Sequence, residues 1–239
     1  MLKAISSKIY FHIRRSRNWF QYRAFLYNLR KKNIFIDRTV QILGARYIEI
    51  GSNSCIGEGT WINVNMGFEG HKCLFIGENS FIGRRNLIDV GKNITIGPFF
   101  LSGLNCEIIG ANHKISNPYK PYISEADVDK EIVIGANCWL GSEVVVLPGS
   151  SLGNGCVVAS KSLVNNIFPS FVMLAGIPGK IIKRYSFRSN KWLKVSEFDE
   201  LEELKFYPDH NHYLSQLNQN KIELSNLKIA CSSAGGNLY

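Results

Sequence analysis

The chain has 239 residues, of which 45% are hydrophobic and 20% are charged, and its formal net charge is +9 at pH 7. This composition supplies one sizeable core and excludes an intrinsically disordered protein. No window holds the roughly 18 consecutive apolar residues that a transmembrane helix needs, and the N-terminus lacks the apolar region and cleavage site of a signal peptide. We therefore expect one main domain in the cytoplasm.

The first predicted element is a basic amphipathic helix within residues 1–36. This segment contains nine of the 28 Lys and Arg residues and none of the 19 Asp and Glu residues, so the rest of the chain is electrically balanced. Its aromatic face could pack on the body of the protein, lie on an anionic membrane surface or contact nucleic acid. Packing is favoured over a peripheral membrane contact, and nucleic acid is disfavoured because the chain carries no nucleic-acid motif.

Residues 134–164 place an aliphatic side chain at every sixth position. Helices repeat near 3.6 residues and strands at two, so neither alone produces this spacing. Three sides of six residues close a triangular coil, and stacked coils pair their short strands in parallel, with residue i beneath residue i+18. The inward aliphatic residues are Ile134, Leu140, Val146, Leu152, Val158 and Val164.

A second inward position is predicted four residues after each aliphatic one, and the corner lies at i+3. Corner residues such as Asn137, Gly149 and Gly155 tolerate positive φ. The pattern extends the repeat over about residues 47–165, and a spacing of five between Ile96 and Leu101 predicts an irregular coil there. The second inward column holds small side chains: Cys138, Val144, Ser150, Cys156 and Ser162.

Two interruptions break the repeat, at residues 65–72 and 113–131. The second is long, polar and rich in Pro and Tyr, and an insertion of this kind in a regular solenoid is usually functional. His113 lies where the coil gives way to this loop, which is consistent with a general base or with a surface polar residue. The six cysteines form no CxxC pair, which predicts free thiols rather than a zinc or redox site.

The hexads, the loop histidine, "IGANCWLGSEVVVLPGSSLGNGCVVASKSLV" (134–164) and "AGIPGKIIKRY" (175–185) together resemble the hexapeptide-repeat acyltransferases. The resemblance spans about residues 45–185 and implies a left-handed parallel β-helix, whose hand the spacing alone does not determine. The predicted fold is an all-β solenoid with a helical N-terminal segment and a helical C-terminal tail. Its parts are the basic segment 1–40, the acyltransferase domain 41–185 with loop 113–131, and the extension 186–239.

The resemblance also implies an acetyl-CoA site in a groove between adjacent β-helices of a homotrimer. Trp139 would border the pantetheine arm, with the backbone amides of Gly141 and Ser142 near the thioester. The small residue whose backbone contacts pantetheine in the family matches Ala159. The basic residues that meet the CoA phosphates match Lys180 and Lys183, whereas a further lysine of the family is replaced by Asn166.

The family's general base matches His113. Sugar-acetylating members carry an acceptor-binding asparagine where this chain has Gly83, so Asn86, three residues later, is the weaker candidate for substrate binding. Its inward i+4 position predicts a structural role instead. The resemblance implies no metal.

In the tail, Phe198, Leu201 and Leu204 are predicted to share one helix face. Outside the site, Lys161 and Arg184 are predicted to be solvated charges.

The predicted function is an acetyl-CoA-dependent O-acetyltransferase that acts by direct transfer on a sugar hydroxyl in surface-polysaccharide or lipopolysaccharide biosynthesis. We expect it in the cytoplasm or at the inner face of the cell membrane, with a sugar or glycan acceptor and no nucleic acid as partner. The alternatives are an N-acetyltransferase of a nucleotide-linked amino sugar and a xenobiotic O-acetyltransferase of the streptogramin type. A carbonic-anhydrase-like metal protein needs three histidines where only His71 and His113 lie in the repeat, and an inert scaffold leaves His113 and Lys180 unexplained.

Overall fold

The computed structural model describes residues 25, 27–29, 31–64, 71–124, 126–127 and 130–221. Within these residues the chain winds through coils whose short strands form three parallel sheets, here called faces A, B and C. Successive strands visit the faces in the order A, B, C, so the predicted three-sided parallel β-helix is confirmed.

Face A contains β1 (Phe35–Ile36), β4 (Cys55–Ile56), β7 (Phe81–Ile82), β10 (Leu101–Ser102), β15 (Trp139–Leu140), β18 (Val157–Val158), β21 (Val172–Ala175), β22 (Lys180–Ser186) and β23 (Lys191–Lys194). Face B contains β2 (Gln41–Leu43), β5 (Trp61–Asn63), β8 (Leu87–Asp89), β11 (Glu107–Ile109), β16 (Val145–Val146) and β19 (Leu163–Val164). Face C contains β3 (Ile48–Ile50), β6 (Leu74–Ile76), β9 (Ile94–Ile96), β14 (Ile132–Ile134), β17 (Ser151–Leu152) and β20 (Ile167–Phe168). A separate hairpin pairs β12 (Asn112–His113) with β13 (Ala126–Asp127), and the tail contains helices α1 (Glu200–Glu203) and α2 (His210–Gln219). Turns of 3₁₀ helix lie at Ala45–Tyr47, Tyr122–Ser124, Val195–Glu197 and Leu204–Phe206.

The core is a stack of the two inward columns that the hexads predict. All six aliphatic residues from Ile134 to Val164 are buried, and so is the small column from Cys138 to Ser162. The corners adopt left-handed backbone as expected, with φ of 54° at Asn137 and 63° at Gly155. Burial of these columns in one continuous cluster provides the main hydrophobic stabilisation of the fold.

The predicted spacing of 18 residues between stacked partners holds only in the C-terminal coils, as in the pair Trp139 and Val157. Leu87 pairs with Glu107, 20 residues later, and Glu107 pairs with Val145, 38 residues later. The additional residues all fall between a strand of face B and the next strand of face C. One edge of the prism, here called the B/C corner, therefore carries every interruption, including loop 113–131.

The stack begins earlier than predicted, because Phe35 of β1 already pairs with Cys55 of β4. The coils thus start inside the predicted segment 1–40, and the predicted helix does not extend to residue 36. The described residues 25, 27–29 and 31 are helical, and Leu29 is buried in the core. This end of the segment packs on the body, while residues 1–24 lie outside the described part of the chain.

The irregular coil predicted between Ile96 and Leu101 is wrong. The inward residue after Ile96 is Ser102, six positions later, and its side chain is buried. The six-residue spacing is not recognisable from aliphatic residues alone, because Ser102 occupies a position in the column that is otherwise aliphatic. The irregularity lies one corner earlier, between Ile88 and Ile96, where the coil is two residues longer than a hexad.

The predicted helical tail is confirmed by α1 and α2, but strand β23 precedes these helices in the C-terminal extension. After β21 the chain reverses, and β22 and β23 continue face A as antiparallel strands. The prediction that Phe198, Leu201 and Leu204 share one helix face is wrong, because α1 ends at Glu203, Phe198 precedes it and Leu204 lies in the following 3₁₀ turn. Leu201 is 83% exposed. Arg184 is not a solvated charge, because its Nη1 lies 3.0 Å from Oε1 of Glu200 and its guanidinium lies over the Phe198 ring.

Candidate active site

His113 projects from the B/C corner on the first strand of the hairpin β12–β13. The His113 side chain is exposed, and its backbone N–H donates to Oδ1 of Asn112 at 2.9 Å. The imidazole makes no hydrogen bond or ion pair to the described residues, so both ring nitrogens are accessible to a ligand. The following segment is also exposed, with Tyr119 at 97% and Ile123 at 87%.

A single row of outward side chains crosses face A from strand to strand. It includes Trp139, which is 50% exposed, and it ends in lysines where the antiparallel strands join the sheet. Adjacent strands lie about 4.8 Å apart, so three steps from Trp139 to Lys183 span roughly 14 Å. From β10 onward, the members of this row, here called the face A row, are Leu101, Trp139, Val157, Met173, Lys183 and Lys194.

Both lysines inferred from the sequence lie on the outer side of face A. A bulge in the pairing of β21 with β22 sets Lys180 opposite Ala175 and Lys183 opposite Met173. These two partners alternate with Leu174, which is fully buried, so they point outward. Neither lysine forms an ion pair with the described residues, and their positive charge is not neutralised.

Of the two amides predicted near the thioester, that of Gly141 is already hydrogen-bonded, and so is the amide of Ala159, whose backbone is predicted to contact pantetheine. The N–H of Gly141 donates to the Val158 carbonyl at 2.8 Å, and the N–H of Ala159 donates to Leu174 at 2.8 Å. Both are backbone hydrogen bonds between adjacent coils, so neither N–H is available to a ligand oxygen. Ser142 differs: its Oγ accepts from Leu104 N at 3.2 Å, while its own N–H makes no hydrogen bond within the described residues.

Asn86 lies inside the coil, not at an accessible surface. Its side chain is 4% exposed, and its Nδ2 donates to the carbonyls of Arg84 and Gly103 at 3.2 and 3.0 Å. This is the structural role that its i+4 position predicts. At Gly83 a Cβ would come within 2.6 Å of the Ser102 carbonyl oxygen, so the backbone leaves no room there for the acceptor-binding asparagine that the family resemblance implies.

His113 and the face A row lie on opposite sides of one protomer. In the triangular cross-section of the β-helix, the B/C corner is the vertex opposite face A. The hairpin leaves the chain between β11 and β14, and the flanking strands β10 and β15 carry Leu101 and Trp139, so both features lie at the same height along the axis. A single chain therefore does not bring His113, the predicted base, and the face A row together.

Sequence reasoning missed two contributors near this face. Lys194 continues the row on β23, a strand whose four residues give too short a pattern to be separated from the tail. Helix α2 docks on the corner before Trp139, because Tyr213 Oη accepts from Asn137 Nδ2 at 2.8 Å and Asn154 Nδ2 lies 3.1 Å from His210 Nδ1. No spacing rule links residues so far apart in sequence.

The described residues contain no group of three or more His, Cys, Asp or Glu side chains that could hold a metal ion. Cys73, Cys106, Cys138 and Cys156 are free and buried, and burial raises the pKa of the Cys106 thiol. Cys55 is disulfide-bonded, which corrects the expectation of free thiols throughout.

Stacked hexads on three faces, with a loop carrying a histidine at one corner, are the architecture of a hexapeptide-repeat transferase. The family model described as bacterial transferase hexapeptide (six repeats) matches residues 131–166. The chain belongs to this family of acyltransferases, and its fold is the left-handed parallel β-helix. It is 31% identical over 155 residues to the putative lipopolysaccharide biosynthesis O-acetyl transferase WbbJ of Escherichia coli K12, covering 62% of this chain and 77% of that protein.

Two further similarities are informative. Galactoside O-acetyltransferase of E. coli K12 is 26% identical over 137 residues, covering 57% of this chain and 66% of that protein. The crystal structure of AntD, an N-acyltransferase from Bacillus cereus, in complex with dTDP and 3-hydroxybutyryl-CoA, superimposes with a TM-score of 0.55 at 18% identity, covering 78% of this chain and 89% of that one. At this identity the superposition establishes the fold alone. None of the helices in the described residues combines the length and apolar character that crossing a membrane requires.

Proposed function

We propose that the protein is an acetyl-CoA-dependent O-acetyltransferase that acts on a sugar hydroxyl in surface-polysaccharide or lipopolysaccharide biosynthesis. The observation that carries this proposal is an exposed, unpartnered His113 at the mouth of the only long loop in the described coils. The relatives named as lipopolysaccharide and galactoside O-acetyltransferases support a sugar hydroxyl as acceptor.

The face A row suits an acyl-CoA donor. Trp139, Val157 and Met173 offer an apolar track for a long, uncharged pantetheine arm. Beyond this track, Lys180 and Lys183 offer cations for phosphates, since amines without carboxylate partners attract anions. The track is roughly 14 Å long from Trp139 to Lys183, so it would hold the thioester near Trp139 and the nucleotide near the lysines.

We further propose that the enzyme is a homotrimer whose active sites lie between protomers. His113 and the face A row lie on opposite sides of one chain, at the same height along the β-helix axis. A neighbouring copy of the chain would therefore bring the two together. The exposed apolar side chains of the loop, including Tyr119 and Ile123, are then covered by that neighbour. The site is complete only in this assembly.

The chemistry is a direct acyl transfer. His113 removes the proton from the sugar hydroxyl as its oxygen bonds to the thioester carbonyl carbon, forming a tetrahedral intermediate. The carbon–sulfur bond then breaks, and the imidazolium returns the proton to the departing thiolate, which leaves as CoA. A positioned base of this kind contributes a rate factor on the order of 10²–10⁴.

The developing oxyanion needs a fixed hydrogen-bond donor. Among the predicted amides, the N–H of Ser142 is the one left free by the coil ladder, and it lies three residues after Trp139. We assign it to the oxyanion, and we assign the amides of Gly141 and Ala159 to structural support of the groove.

The location stays a prediction: cytoplasmic, with residues 1–36 as the segment that would contact the inner face of the membrane. Most of that segment lies outside the described residues. The test of function is incubation with acetyl-CoA and a panel of sugars, glycans, nucleotide-linked amino sugars and antibiotics, followed by CoA thiol release and NMR of the product. Ester formation on a sugar hydroxyl supports the proposal, whereas amide formation on an amino sugar as the preferred reaction replaces it with N-acetylation.

A further inference from the structure

β23 places Lys194 directly opposite Lys183 on the outer side of face A. The two residues are paired in the antiparallel ladder of β22 with β23, so their Cβ atoms lie roughly 5 Å apart. Like charges in such a pair destabilise a sheet. Neither amine forms an ion pair with the described residues, so no direct ion pair offsets this repulsion.

An aromatic pair lies beside the two lysines on the same side of the sheet. Tyr185 and Trp192 are each two residues from a member of the lysine pair, so strand alternation sets them on the same face. Their rings meet edge to face with centroids 5.3 Å apart, which confirms that side chains from the two strands meet here. Both rings are partly exposed. Cations beside aromatic rings suit a phosphorylated nucleotide.

We propose that β23 completes the donor site, with Lys194 and Lys183 together holding a phosphate group of the nucleotide end of acyl-CoA beside Trp192. This inference rests on the proposed function, and it adds a strand that lies beyond the hexapeptide repeat. A bound phosphate lies between the two amines and removes the repulsion that the free protein carries. The pair is therefore destabilising when empty and stabilising when the donor is bound.

Lys191 provides a matched control on the same strand. It pairs with Ser186, which is fully buried, and it is three residues from Lys194, so alternation directs it away from the outer row. Lys191→Gln and Lys194→Gln remove the same charge from the same strand. The Lys194 N–H donates to Glu197 Oε2 at 3.1 Å, and this backbone contact is retained when only the side chain changes.

The experiment measures CoA affinity of the full chain by calorimetry for the wild type, K191Q and K194Q, with dephospho-CoA and pantetheine as additional ligands. We expect K194Q to weaken CoA binding by about tenfold, which is one charge-assisted contact, and K191Q to change it less than about twofold. Pantetheine binding should be equal in all three proteins. A loss for CoA but not for dephospho-CoA assigns the pair to the 3′-phosphate, and an equal loss assigns it to the pyrophosphate.

A stability measurement separates this role from a structural one. The melting temperature of ligand-free K194Q should equal or exceed that of the wild type, because a like-charge contact is removed, and saturating CoA should raise it less than in the wild type. Equal CoA affinity in K191Q and K194Q overturns the inference while leaving the proposed function intact. A wild type that binds no CoA overturns both.

Discussion

Activity should return when two inactive variants are assembled into mixed trimers. The first variant is His113→Asn, and the second is the charge reversal Lys180→Glu with Lys183→Glu, which repels the donor phosphates. His113 and the two lysines lie on opposite sides of the β-helix. In the proposed homotrimer, each active site takes its base from one protomer and its CoA-binding lysines from the next. Variants with defects in different halves can therefore complement each other.

The size of the recovery follows from the geometry. In randomly mixed trimers, a site is intact when the protomer supplying the base is the lysine variant and its neighbour is the histidine variant. At equal amounts each condition is met half of the time, so activity should reach about one quarter of the wild-type rate per site. If base and lysines belonged to the same protomer, no site in the mixture would be intact.

The assay is CoA thiol release at low acetyl-CoA, after the two proteins are denatured together, refolded and checked by light scattering. Wild-type protein taken through the same treatment sets the full rate, and each variant refolded alone sets the background. Mixed trimers with no more activity than the two backgrounds would refute the intersubunit site. A stable monomer in light scattering would refute it before any kinetics were measured.

Three other outcomes follow from the same geometry. Lys180→Ala with Lys183→Ala should weaken CoA binding by tenfold or more but leave pantetheine analogues without phosphate nearly unaffected, as measured by calorimetry; equal losses for both ligands would indicate damage to the fold. Leu152→Ala should destabilise the protein by about 2–5 kcal/mol in a denaturant titration, because this side chain fills the aliphatic column, whereas Trp139→Ala on the outer face should cost much less. Gly83→Ala should destabilise strongly, since its Cβ meets backbone oxygens of the next coil; unchanged stability would mean that adjacent coils can separate there.

The columns of the core could be predicted from sequence because burial depends on local periodicity. Six aliphatic residues at a strict spacing have one common environment, and all six are buried. The prediction is wrong at Ser102, because a polar side chain occupies the inward position there while the aliphatic Leu101 beside it is exposed. Small polar residues are tolerated in that column when their hydroxyls find backbone partners, as Ser102 Oγ does with Gly83 N at 3.0 Å.

The site was less predictable because it depends on relations between distant parts of the chain. The family resemblance implies His113 and the two lysines as site residues, but their placement on opposite sides of one chain follows from which face each strand joins. The sequence also could not distinguish Ser142 from Gly141 as hydrogen-bond donors, because only the backbone hydrogen bonds between adjacent coils decide which N–H is free. Lys194 and the docking of α2 rest on pairings that no local pattern encodes.

The central claim is that this chain transfers an acyl group with His113 as the base. It is tested most directly by kcat of His113→Asn at saturating acetyl-CoA and acceptor, beside the wild type. Asn keeps polarity at an exposed position but cannot accept the proton, so kcat should fall by on the order of 10²–10⁴, with CoA affinity and melting temperature unchanged. A variant that retains close to wild-type turnover would contradict the account.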